Sequence, residues 1–106
     1  MPPSIRERMQ QDLRAAMQAR DQLALSVLRS TLAAVANAEA VDPAPEDRHA
    51  TEVERKHLAE DDIVAIVTAE RYDLRAASRE MTSLRQDGKA DELTQQAALL
   101  DRYLNI

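Results

Sequence analysis

Leu13-Arg-Ala-Ala-Met-Gln-Ala-Arg-Asp-Gln-Leu-Ala-Leu-Ser-Val-Leu-Arg29 is the stretch that decides the fold. It is a run of strong helix formers broken once, at Asp21, a residue that prefers to cap a helix rather than sit inside one. Two helices meeting at a tight hairpin or sharp kink at Asp21 are therefore expected. Upstream, Ser4 and Glu7 form a Ser-x-x-Glu capping box, and Ile5, Met9, Leu13, Ala16 and Met17 make one apolar stripe at helical spacing. Downstream, Leu25, Leu28, Leu32 and Val35 alternate in steps of three and four, the pattern of a seam packed against antiparallel neighbours.

Further along, Pro43 and Pro45 forbid helix around them, and Glu46, Asp47, Arg48, Glu52 and Glu54 keep the segment wet. Residues 41–58 read as an irregular acidic linker, or one holding a short element near Thr51 to Lys56. A third helix starts with Glu60, Asp61 and Asp62 at the positive end of its dipole, after an uncapped Ala59 and with a Leu58/Ile63 hydrophobic staple. Positions 63, 67, 70, 74, 77, 81 and 84 then run in steps of four and three, apolar except for Glu70. The lone glycine, Gly88, reads as the helix stop. A fourth helix follows, capped by Asp91, with Leu93, Ala97, Leu100 and Leu104 on one face. The expectation is a single all-α domain over residues 1–106, an antiparallel bundle with helices at about 4–20, 22–40, 60–87 and 91–104.

Composition agrees with that class and excludes others. One glycine and 44% apolar residues in 106 argue against disorder and against a strand-rich fold, and with no Phe or Trp the core must be aliphatic. The absence of Cys removes disulfides, thiolate chemistry and Cys-ligated zinc. No apolar run approaches the roughly 20 residues of a membrane span, and Met1-Pro2-Pro3-Ser4 lacks the features of a signal peptide, so a cytoplasmic protein is expected. The net charge of −5 is concentrated in residues 41–62, which carry three bases against eight acids. The helical parts are close to neutral, without the large excess of Lys and Arg that non-specific nucleic-acid binders carry, and DNA is not an expected partner.

Several short motifs, taken in order, resemble the GatB/YqeY family, which includes a helical domain of the tRNA-dependent amidotransferase. They are the Ala16-Met17-x-Ala19-Arg20-Asp21 box, Leu28-Arg29, Asn37-x-Glu39, Leu58-x-x-Asp61-Asp62-Ile63-Val64 and Leu100-x-x-Tyr103-Leu104. The resemblance spans about Ile5 to Leu104. It implies a helical accessory domain associated with carbon–nitrogen ligation using glutamine as amide donor, with tRNA or a protein as partner and no cofactor. Gln18 stands where the family usually carries Lys, and Gln95 and Gln96 where it tends to carry Glu. In the amidotransferase a tail domain following the Tyr-Leu pair is associated with holding tRNA. The sequence here stops at Asn105-Ile106, and a domain without that tail is expected.

The residues themselves assemble no catalytic constellation. There is no Gly-rich loop, and Ser26, Ser30, Ser78 and Ser83 read as surface or packing residues. Glu39 and Glu70 intrude on apolar seams, where each serves either as an ion-pair partner or as half of a functional site; their positions along the helices argue against a direct pair. His49 and His57 match no zinc spacing, and no metal site is expected. The binding candidates are Arg71, Arg75 and Arg79, at i, i+4 and i+8 on the third helix, with Tyr72 beside them. They are placed to grip phosphates or an acidic partner, unless Asp73 and Glu80 neutralise them within the helix. The alternative is a structural protein that oligomerises through Leu23, Val27 and Ala34, which lie off the main seam of the second helix.

Overall fold

Asp21 separates two helices, as its residue type demands. The computed structural model describes residues 3–40 and 58–105, and these residues are all-α. Helix α1 spans Ile5–Ala19, α2 Gln22–Glu39, α3 Glu60–Ser83 and α4 Asp87–Leu100, and a 3-10 turn, Asp101–Tyr103, follows α4. The predicted linker, apart from Leu58, and both histidines lie outside the described residues.

The α1–α2 turn is built from backbone hydrogen bonds. Arg20 takes a left-handed conformation (φ 56°), which lets Asp21 N–H reach the Ala16 carbonyl at 2.9 Å and Arg20 N–H the Met17 carbonyl at 3.3 Å. This pair of bonds is the Schellman closure of a helix, here made without glycine. Asp21 then caps α2, its Oδ1 accepting from Ala24 N–H at 3.1 Å. At the start of α1, Ser4 Oγ accepts from Glu7 N–H at 3.1 Å, the half of the capping box that Ser4 carries. Ala59 leaves the α3 cap without a side-chain acceptor, and the reciprocal half forms instead: Asp62 Oδ2 accepts from Ala59 N–H at 3.0 Å.

The α3–α4 turn corrects the sequence-based expectation. Gly88 is not a helix stop and Asp91 is not a cap; α3 ends four residues early, and both residues lie within α4. The second turn repeats the geometry of the first. Arg85 (φ 59°) is left-handed, Gln86 N–H reaches the Met81 carbonyl at 2.8 Å, and Arg85 N–H reaches the Thr82 carbonyl at 3.0 Å. Interhelical register sets this position. Ser78 Oγ donates to the Ala90 carbonyl at 2.9 Å and accepts from Thr94 Oγ1 at 2.8 Å, while Arg71 pairs with Asp101. These contacts join residues about equally far on either side of Arg85, so the chain must reverse there. A left-handed non-glycine residue costs about 1–2 kcal/mol, less than a hairpin packed out of register would lose.

The core lies where the two hairpins meet. Ile5 and Met9 of α1, Leu25, Leu28 and Val35 of α2, Ile63 and Val67 of α3, and Leu100 are buried together, with Leu58 packed against them as the staple requires. Three assignments change, the first being Leu84, which caps the end of α3 and is 58% exposed. Met17 is 53% exposed, because it sits in the last turn of α1 beside the hairpin. Val27 is 3% exposed and belongs to the core, since α2 is packed against α1, α3 and α4 and hides more than one face. The seam residues Leu25, Leu28 and Val35 are buried, as expected. Gln96 Nε2 donates to the Leu23 carbonyl, which sets the middle of α4 beside the start of α2, so the α3–α4 hairpin extends past the α1–α2 turn. The described structure measures 52 × 35 × 25 Å accordingly.

Gly88 lies in the first turn of α4 with φ negative and nothing within 4 Å of the place a Cβ would occupy. Gly88→Ala should therefore stabilise the protein by about 0.5–1 kcal/mol through the unfolded-chain entropy it removes. A rise in Tm measured by calorimetry is the expected result, whereas a glycine acting as a left-handed helix stop would give a fall.

Candidate functional site

A helix turns about 100° per residue, so side chains at i, i+3 and i+7 share one face. On α3 that relation joins Tyr72, Arg75 and Arg79, and all three are exposed. Arg71 stands about 100° away from Tyr72 around the axis, on the side facing the end of α4. There its Nε donates to Asp101 Oδ1, and both side chains are largely covered. The stripe read from sequence therefore divides: Arg71 serves the fold, and Tyr72 joins the two remaining arginines on an open face.

The neutralising carboxylates anticipated from sequence do not reach those arginines. Asp73 is two residues from Arg75 and Glu80 is adjacent to Arg79, spacings that point side chains away from each other. No acid occupies a position three or four residues from Arg75 or Arg79. Among the described residues neither guanidinium makes an ion pair, whereas Lys89 and Glu92, at i and i+3, do so at 3.4 Å. Two like charges one turn apart cost a few tenths of a kcal/mol. The face thus keeps an uncompensated positive pair beside an aromatic ring that is 66% exposed.

The two seam carboxylates have separate partners. Glu39 Oε1 pairs with Arg6 at 2.7 Å across the open end of the α1–α2 hairpin, and Glu70 Oε2 accepts from Ser30 Oγ at 3.3 Å between α3 and α2. They do not come together. Around Glu39 a cleft of about 370 Å³ is lined by Arg6, Glu7, Glu60 and Ile63. Its polar groups are largely engaged, since Glu60 Oε1 accepts from Ile5 N–H at 3.1 Å. A smaller cleft of about 210 Å³ between α1, α2 and α4 is floored by Ala16, Ala24 and Leu28. No group of three metal-ligating side chains occurs among the described residues. Ser30, Ser78 and Ser83 spend their hydroxyls on the Glu70 carboxylate, the Ala90 carbonyl and the Glu80 carbonyl.

One cluster went unread in the sequence. Tyr103, 2% exposed, donates its hydroxyl to Asp12 on α1; the Arg8 guanidinium lies 5.2 Å from the ring centroid and reaches the Arg102 carbonyl at 2.8 Å. Burial first, and then the hydrogen bond to Asp12, hold the Tyr103 hydroxyl well above the ordinary tyrosine range. The available signal was scarcity: Tyr103 is one of two tyrosines in a chain without Phe or Trp, and it lies three residues after Leu100, the last apolar position of α4. Its partner on α1, 91 residues away, leaves no local pattern.

No protein-family model matches the chain, and no curated protein or solved structure matches it either.

Because Tyr103 is held in its protonated form when folded, its contribution to stability is complete below the ordinary tyrosine pKa of about 10 and is lost as pH rises above it. Thermal melts of the wild type should therefore drop through the alkaline range. Tyr103→Phe, which has no proton to lose there, should start less stable and decline less steeply, and parallel pH profiles for the two proteins would contradict the assignment.

Proposed function

We propose that this chain is a non-catalytic helical binding module of the GatB/YqeY type, linked to tRNA-dependent amidotransfer and using the outer face of α3 to contact RNA. The observation that carries the reading is the pair Arg75 and Arg79, which are exposed, adjacent and free of acidic neighbours at helical spacing. Guanidinium groups are suited to phosphate because their planar donors match its oxygens in pairs, and two of them one turn apart serve as a short phosphate-binding rail. The order of the sequence motifs supports the family reading. Engagement of three of the serine hydroxyls within the fold, and the division of Glu39 from Glu70, support a module that binds rather than one that performs the ligation.

Titration with tRNA in low-salt gels tests the proposal. Binding should be salt-sensitive, and Arg75→Ala and Arg79→Ala should each reduce the salt slope by about 1 while leaving Tm nearly unchanged. Arg71→Ala should behave in the opposite way, costing on the order of 1 kcal/mol of stability through the lost Asp101 pair. A wild-type protein that shifts no tRNA at low salt would overturn the RNA reading and leave the protein-partner version of the module; the oligomerising alternative, whose face has lost Val27 to the core, is tested by light scattering. Purified chain supplied with glutamine, ATP and tRNA is expected to release no ammonia.

A further inference from the structure

We infer that the α3 face takes an unpaired stretch of RNA, with a base stacked on Tyr72 and the neighbouring phosphates on Arg75 and Arg79, an inference that rests on the RNA-binding reading above. The chain holds two tyrosines, and their environments differ completely. Tyr103 is explained by the fold: its ring is buried under Arg8 and its hydroxyl is bonded to Asp12. Tyr72 has no such employment. Its ring is 66% exposed in mid-helix, and among the described residues no cation covers it and no side chain hydrogen-bonds its hydroxyl.

The face combines three choices that are each locally unfavourable: an open aromatic ring, and two arginines stacked without a counter-charge. One kind of partner suits all three. Arginines answer the phosphate backbone, and an exposed ring answers a base whose own face is free. In a duplex, base faces are closed within the stack, so a helical stem offers Tyr72 nothing but its ends. Loops and single-stranded segments of RNA offer both groups in succession. An acidic peptide would satisfy the arginines and leave the ring without a role. Tyr72 and Arg75 are three residues apart, about 4.5 Å along the helix axis, and Arg79 lies about 6 Å further. Base and backbone can therefore be held by one continuous strip rather than by separate surfaces.

Fluorescence anisotropy at low salt with a labelled single-stranded 12-nucleotide RNA, against the same strand annealed to its complement, tests the inference. Single strand should bind at least several-fold more tightly than duplex. Tyr72→Ala should weaken single-strand binding by about 5- to 150-fold, the range for loss of one base–aromatic stack, while Tyr72→Phe should stay close to wild type. Melting curves of both variants should stay close to the wild type, because Tyr72 is largely exposed and makes no side-chain hydrogen bond among the described residues. Duplex bound as tightly as single strand, or Tyr72→Ala binding as well as wild type, would overturn the stacking inference while the RNA-binding module stands. Binding of a poly-glutamate probe as tight as that of the RNA would overturn it in favour of an acidic protein partner. Failure of the wild type to bind any RNA, tRNA included, would remove the functional reading and this inference with it.

Discussion

Arg71 pairs with Asp101, and that pairing, together with the burial of Ile63 and Val67, fixes the rotation of α3 about its own axis. A helix has one rotational freedom once its position is fixed, and a charge pair near its middle removes it. With Arg71 turned toward the end of α4, Tyr72, Arg75 and Arg79 must face outward, and Ile63 and Val67 must face the core. The Ser78 bond to the Ala90 carbonyl holds the same register two turns further on. The open face of α3 is thus a consequence of how the opposite side of the helix is engaged.

The two hairpins are held to each other by contacts far apart in sequence. At the open end of the bundle, Glu60 accepts from the first backbone N–H of α1, so a helix start that would otherwise need water is satisfied by another helix. Beyond α4, the 3-10 turn brings Tyr103 onto α1, where Asp12 and Arg8 receive it. Ring and hydroxyl are both accommodated, which an aliphatic side chain could not reproduce. These two ties and the shared aliphatic core join the α1–α2 and α3–α4 hairpins, each of which is already closed by its own Schellman turn.

Much of this was legible in the sequence where the cause is local. Asp21 caps α2 because its side chain reaches a backbone N–H three residues on, a relation that needs nothing from the rest of the molecule. The same holds for Ser4. The seam of α2 was readable because burial follows the helical repeat. The candidate site was legible in residue types but not in grouping: Arg71, Arg75 and Arg79 form a line in sequence, while the fold takes Arg71 away and brings Tyr72 in. Gly88 misled for a physical reason, since a glycine permits a left-handed turn without requiring one, and the interhelical register placed that conformation on Arg85 instead.

By itself, the sequence determined the helical class, the caps of α1 and α2, the break at Asp21 and the seam of α2, all of which depend on interactions within a few residues along the chain. The tertiary structure alone decided where α3 ends, that Val27 is core and Met17 is not, that Tyr103 clasps α1, and which side of α3 remains open. Those outcomes depend on the rotation and register of one helix against another, quantities fixed by partners such as Asp101, Ala90 and Asp12 that lie many residues away. Periodicity specifies that a helix has an apolar face; only the packed neighbours settle how that face is turned and what remains exposed on the other side.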